Sequence, residues 1–175
     1  MNENRALSLR EAIELERPGA LSASREALLD RWHSLPPDKG TALRLAFIEW
    51  CSCSEPDFLT GLPDYDTSLF PELAAYLTSP SEIDTTVRFV LGWMSKTFPW
   101  CCGCGPTPWE SVGKKLWSEF ETSGDLDLSE FSDDSEYRVY FTHIYASLSR
   151  SGRLTLVTRA PLKVPRRAPL ISQSS

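Results

Sequence analysis

The cysteines are the residues in this chain whose types and spacing could do the most unusual chemistry. Five occur, as Cys51-Ser-Cys53 and Cys101-Cys102-Gly-Cys104. An odd number in a chain with no secretory leader reads as thiols or ligands more readily than as a disulfide framework. Thiolates supplied in groups from two loops hold soft ions such as Zn²⁺ or Cu(I). Structural zinc favours two or more residues between paired ligands, so the C-x-C and C-C-x-C spacings fit a copper-thiolate or irregular cluster better. The competing reading is inert thiols buried beside Trp50 and Trp100, because cysteine packs as a small hydrophobe.

A second group with metal-binding chemistry is acidic. From Glu119 to Glu136 there are eight acids and no base. Asp125, Asp127, Ser129, Phe131 (through its carbonyl), Asp133 and Glu136 fall at positions 1, 3, 5, 7, 9 and 12 of a calcium-loop template. Glu130 replaces the glycine the template needs at position 6, so the stretch reads as a solvated linker whose Asp133-Asp134-Ser135-Glu136 caps the next helix. The two histidines, His33 and His143, leave little room for catalysis. One of the thiols paired with His143 would give a Cys–His nucleophile, a pairing that is spatial and not readable from sequence. Nucleophile-elbow, phosphate-loop, zincin and dinucleotide motifs are all lacking, so no catalytic residue is assigned.

The elements that must position these groups are helical in pattern. Residues 81–104 form the most apolar stretch. Ile83, Val87, Val90, Leu91, Met94 and Phe98 recur at helical spacing, with Phe89 and Trp93 as a second stripe, which places this helix centrally. Ser81-Glu-Ile-Asp84 has the form of its capping box. Earlier helices are read from the capping box Ser8-Leu-Arg-Glu11, from residues 24–34 with Leu28, Leu29, Trp32 and Leu35, and from Asp38 through Leu43, Phe47 and Trp50. A loop over residues 55–66 precedes a short helix from Leu69 to Leu77. Thr107-Pro108-Trp109-Glu110 reads as cap, first-turn proline and third-position acid, opening a helix faced by Val112, Leu116 and Phe120. The last helix, 135–151, shows Tyr137, Tyr140, Phe141, Ile144, Tyr145 and Leu148 on one face. Leu154 to Thr158 alternates weakly and reads as a lone extended piece.

If the helices at 38–51, 69–78 and 82–98 run up, down and up, the first and third are parallel, and both cysteine groups lie at one end of the bundle. Trp50-Cys51 and Trp100-Cys101 also echo each other fifty residues apart, as duplicated helical hairpins would. The fold class is therefore all-α: a compact bundle of six to seven helices in one domain (1–158). A basic, Pro-rich, disordered tail follows (159–175).

Composition narrows the function. The 175 residues carry a net charge of −6, 41% hydrophobic and 24% charged residues, which is globular rather than disordered. The tail contributes Arg159, Lys163, Arg166 and Arg167 and no acid, leaving about −10 on residues 1–158. A body that acidic excludes nucleic acid as the main partner. No apolar run is long enough for a membrane span, and the N-terminus lacks a leader's apolar core, which points to the cytoplasm. The six tryptophans must fill the core or form a binding face. The reading is a non-catalytic protein that binds another protein, with a basic partner suiting the charge. An immunity- or antitoxin-like role against a basic toxin would use the same physics, by analogy only. The alternative is a thiolate metal-binding (zinc or copper) or redox-sensing domain built on Cys51, Cys53, Cys101, Cys102 and Cys104.

Overall fold

The computed structural model describes residues 5–16, 20–62, 68–103, 105–123 and 126–151, except the side chains of Pro106 and Thr107. Over these residues the fold is all-α. Its helices are α1 (Leu9–Glu14), α2 (Ser22–Ser34), α3 (Lys39–Ser54), α4 (Asp57–Thr60), α5 (Leu69–Leu77), α6 (Thr85–Thr97), α7 (Pro106–Ser123) and α8 (Glu136–Arg150). Two 3-10 turns, Pro99–Cys102 and Leu128–Phe131, interrupt the connections. The extended piece at Leu154–Thr158 and the basic tail lie outside the described residues.

Local signals account for most helix starts. Ser8 and Glu11 form a reciprocal capping box. The Asp38 carboxylate accepts the Thr41 amide at 2.8 Å to open α3, and Ser135 accepts the Arg138 amide at 3.0 Å to open α8. Two expected caps are corrected. α6 is capped by Asp84, which accepts the Val87 amide at 2.9 Å, and not by Ser81. α7 begins at Pro106, so Thr107 is already helical and the start falls two residues earlier than its sequence suggests.

The central element is α3 rather than the helix at 85–97. Every residue from Thr41 to Cys51 is buried, so α3 is covered on all sides, whereas α6 leaves Arg88 and Trp93 part-exposed. The expected alternation of direction holds. Lys39, at the start of α3, bonds Asp84, the cap of α6, at 2.5 Å, and Trp50 near the end of α3 donates to the Met94 carbonyl of α6 at 3.2 Å. Those two helices are parallel. α5 packs on α3 and runs back along it, its Tyr76 hydroxyl donating to the Pro37 carbonyl at 3.1 Å.

The closest packing is between α6 and α7, which run antiparallel. A Cβ on Gly92 would sit 3.0 Å from the Trp117 amide, and one on Gly113 would sit 2.6 Å from the Lys96 amide. These two glycines let the helix backbones approach within a distance that no side chain allows. α8 then lays its aromatic face over α3 and α6. Phe47 meets Tyr137, Tyr140 and Phe141 at ring distances of 5.5–5.7 Å, and Phe89 meets Tyr145 at 5.9 Å.

Candidate functional site

At the C-terminal end of α3 and α6, the chain folds as the helix order predicts, and four of the five cysteines meet. Cys51 and Cys53 come from the last turns of α3, and Cys101 and Cys102 from the 3-10 turn that follows α6. The turn carrying Cys101 packs on α3, and of the thiols that act on Cys101, Cys53 acts most strongly, ahead of Cys102 and Cys51. Cys101 and Cys102 are fully enclosed and Cys53 is half-buried. Cys104 lies outside the described residues.

Other neighbours engage the remaining thiols. Cys102 turns away, its sulfur 3.8 Å from both the Ser95 hydroxyl and the Phe98 carbonyl. Cys51 faces an apolar groove with Phe47, Trp50 and Leu59. Among the described residues no group of three or more His, Cys, Asp or Glu is arranged to hold an ion. Burial keeps the Cys51, Cys101 and Cys102 thiols protonated. It pushes Cys51 far above the ordinary thiol range, with Glu55, Glu136 and Glu16 adding to it. Burial does the same to Cys101, helped by the neighbouring Cys53, and takes Cys102 up to about 12 against a lowering contact from Ser95.

The Trp-Cys echo is not repeated in space, since Trp50 is buried in α3 and Trp100 is exposed. Five of the six indoles donate inside the protein: Trp32 to Glu72, Trp50 to Met94, Trp93 to Tyr140, Trp109 to Gly103 and Trp117 to Glu121. The tryptophan surplus is therefore mostly core and not binding face. Both histidines are exposed, on α2 and α8, while the thiols at Cys51, Cys101 and Cys102 are buried.

The acidic stretch is folded into the body rather than forming a calcium loop. Phe131 is buried and stacks on Tyr137 at 5.5 Å. The carboxylates diverge to separate partners: Glu130 to Lys39 at 3.0 Å, Asp133 to Arg44, and Asp127 to the Ser129 amide at 2.9 Å. Asp125 lies outside the described residues.

Lys39, Arg44, Glu130 and Asp133 line a cleft of about 1100 Å³ between α1, α3, the turn at Leu128–Phe131 and the start of α8. At its base the buried Arg44 guanidinium lies 5.1 Å from the centre of the Tyr137 ring, donates to the Gly40 carbonyl at 3.2 Å and pairs with Asp133. The Arg44 Nε and the Tyr137 hydroxyl are both buried without a hydrogen-bond partner. Burial alone would raise the Asp133 carboxyl, but the Ser135 hydroxyl and Arg44 outweigh it and hold it below the usual range. Glu16 goes the other way: burial raises it, although its carboxylate accepts the Glu136 amide at 2.8 Å.

That Glu16–Glu136 contact separates the large cleft from the smaller groove of about 260 Å³ lined by Leu21, Phe47, Trp50, Leu59, Tyr140 and Glu55. Beside the groove, the one-turn helix α4 presents Phe58 (78% exposed) and Leu59 (52% exposed). Sequence reasoning missed this region because it reads 55–66 as plain loop, and Arg44 falls on what looks like a polar position of an amphipathic helix. The residue pair Phe58-Leu59 between Pro56 and Gly61 was the available signal.

The chain matches no protein-family model, and comparison with curated proteins and with solved structures finds no significant match. No helix among the described residues is long and apolar enough to cross a membrane.

Proposed function

We propose that this protein acts by binding another protein, without catalysis, and that the partner contributes a basic segment. The carrying observation is that the carboxylates Glu14, Glu16, Asp133, Asp134, Glu136 and Glu55 along two adjoining clefts outnumber the cations Arg10, Lys39 and Arg44 there, next to the exposed Phe58 and Leu59. Lysine or arginine side chains would be drawn by that band, and apolar residues of the same segment would cover α4. Backbone carbonyls of the segment would also supply the acceptors that the Tyr137 hydroxyl and Arg44 Nε lack, removing a desolvation cost of about 1–3 kcal/mol per group. A basic peptide segment meets all three demands.

The test is affinity capture from the source cells with the full chain, run beside two surface variants, Phe58→Ser/Leu59→Ser and Glu55→Lys/Asp134→Lys. A partner recovered by the parent chain, weakened by salt, and reduced about tenfold by each variant supports the reading, tenfold being 1.4 kcal/mol. A captured set that neither variant changes overturns it.

A further inference from the structure

We propose that Cys53 and Cys101 are a site of reversible covalent modification: peroxide closes them into an intramolecular disulfide, and thiol reductants reopen it. The inference does not depend on the protein-binding reading.

Position singles out this pair among the described thiols. Cys53 sits at the last turn of α3 and is half-buried, so a small oxidant can reach it. Cys101 is enclosed in the turn after α6, where no oxidant reaches it directly, but that turn packs on α3, and Cys53 is the thiol that acts on it most strongly. The alternatives are engaged elsewhere. Cys102 faces Ser95 and the Phe98 carbonyl, and Cys51 faces the groove under α4. The two backbones are fixed beside each other by Trp50, which bonds the Met94 carbonyl and packs on Phe98 at 5.5 Å. A disulfide demands this kind of pre-set approach.

The chemistry balances without any other group. The Cys53 thiolate attacks one oxygen of hydrogen peroxide, the O–O bond breaks, and the sulfur becomes a sulfenic acid as hydroxide leaves and takes up the thiol proton as water. The Cys101 sulfur then attacks the Cys53 sulfur. The S–S bond forms, the S–O bond breaks, and the Cys101 proton leaves with the hydroxide as a second water. Two thiols are oxidised and one peroxide is reduced to two waters. Because Cys101 adjoins Cys53, the sulfenic acid is intercepted before further oxidation.

The full chain, reduced and then exposed to hydrogen peroxide, is blocked with an alkylating agent and mapped by mass spectrometry without reduction. The expected result is the loss of two free thiols, one peptide pair linking Cys53 to Cys101, recovery with dithiothreitol, and a higher unfolding midpoint while the link is closed. Cys53→Ser abolishes the link, and its half-buried position spares the fold. Cys51→Ser and Cys102→Ser keep it. Cys101→Ala serves as the second partner variant and must also abolish it. The proposal is overturned if all thiols survive, if Cys53 proceeds to sulfinic acid with Cys101 still free, or if Cys53 links instead to Cys51, Cys102 or Cys104.

Discussion

The same two parallel helices, α3 and α6, are joined at both ends, and the two ends are joined by opposite chemistry. At the N-terminal end the joints are ionic: Lys39 bridges Asp84 and Glu130, and Arg44 reaches Asp133. An open cleft lies over them. At the C-terminal end the joints are thiols and rings: Cys53 on Cys101, Trp50 on Phe98, Phe98 on Trp100 at 5.3 Å. Charged groups gain direction from hydrogen bonds but suffer in low dielectric unless paired. Thiols and aromatics pack in any dry space and ask for no partner. The first end is therefore specific and intolerant of losing one member, and the second is tolerant until its packing is overfilled.

The largest expected effect falls on the ionic end. Arg44→Met keeps the volume against Tyr137 but strands Asp133, and stability should fall by about 3 kcal/mol, as when one partner of a buried pair is removed. The matched change at the thiol end, Cys102→Ala, should cost about 1 kcal/mol, the burial lost with one small apolar group. Denaturant midpoints of the two variants measure the contrast, and equal losses would break the comparison. Next in size is an overpacking test beside the thiols. Gly113→Ala places a Cβ within 2.6–2.7 Å of the Lys96 amide and the Ser95 backbone carbon. The helix backbones must part, and a loss of about 1–3 kcal/mol is expected despite alanine's better helix propensity. A neutral or stabilising result would show that the α6–α7 contact can yield.

The sequence makes one of these ends far more legible than the other. The capping residues Asp38, Ser8 and Ser135, and the apolar spacing of the helices, depend only on near neighbours, so they can be read in a line. From them the helix order follows, and with it the meeting of the cysteines. What periodicity cannot show is a polar residue whose partner is distant. Arg44 and Asp133 are 89 positions apart, and Glu49 is fully buried against Arg25 from α2 at 2.5 Å. Each looks like a solvent-facing residue until the fold joins it to its mate. Gly92 and Gly113 mislead in another way. Inside a helical pattern a glycine reads as a weakness, whereas here the missing side chain is what allows the two backbones to touch. The acidic stretch misleads through composition, because its charge conceals Phe131, which anchors it to the core.

The finest distinction between the two ends lies in their response to pH, and its signs are opposite. Asp38 and Asp133 are held below the ordinary carboxylate value despite partial burial. Asp38 is held by the Thr41 amide and hydroxyl and by Arg31, and Asp133 by Ser135 and Arg44. A lowered carboxyl contributes stability that is present above its unfolded pKa, near 4, and is lost as the pH falls through the folded value. Glu16, raised by burial, opposes this: its contribution is present in acid and is lost as the pH rises through its folded value. Asp133→Asn should accordingly flatten the acid limb of the stability profile, and Glu16→Gln should improve stability most at neutral pH. The thiols are raised, so their contribution is complete below the unfolded thiol value, about 8.5, and declines above it as the unfolded chain ionises first. With Cys102 held up to about 12, Cys102→Ala should remove close to one proton from the pH slope of stability between about 9 and 11. Chemical denaturation across the pH range, read as the difference between each variant and the parent chain, separates these limbs from the lysines and tyrosines that titrate in the same alkaline range. A Cys102→Ala curve running parallel to the parent above pH 9 would mean that the thiol end is open to water, and the contrast between a guarded thiol end and an ionic, open one would be lost.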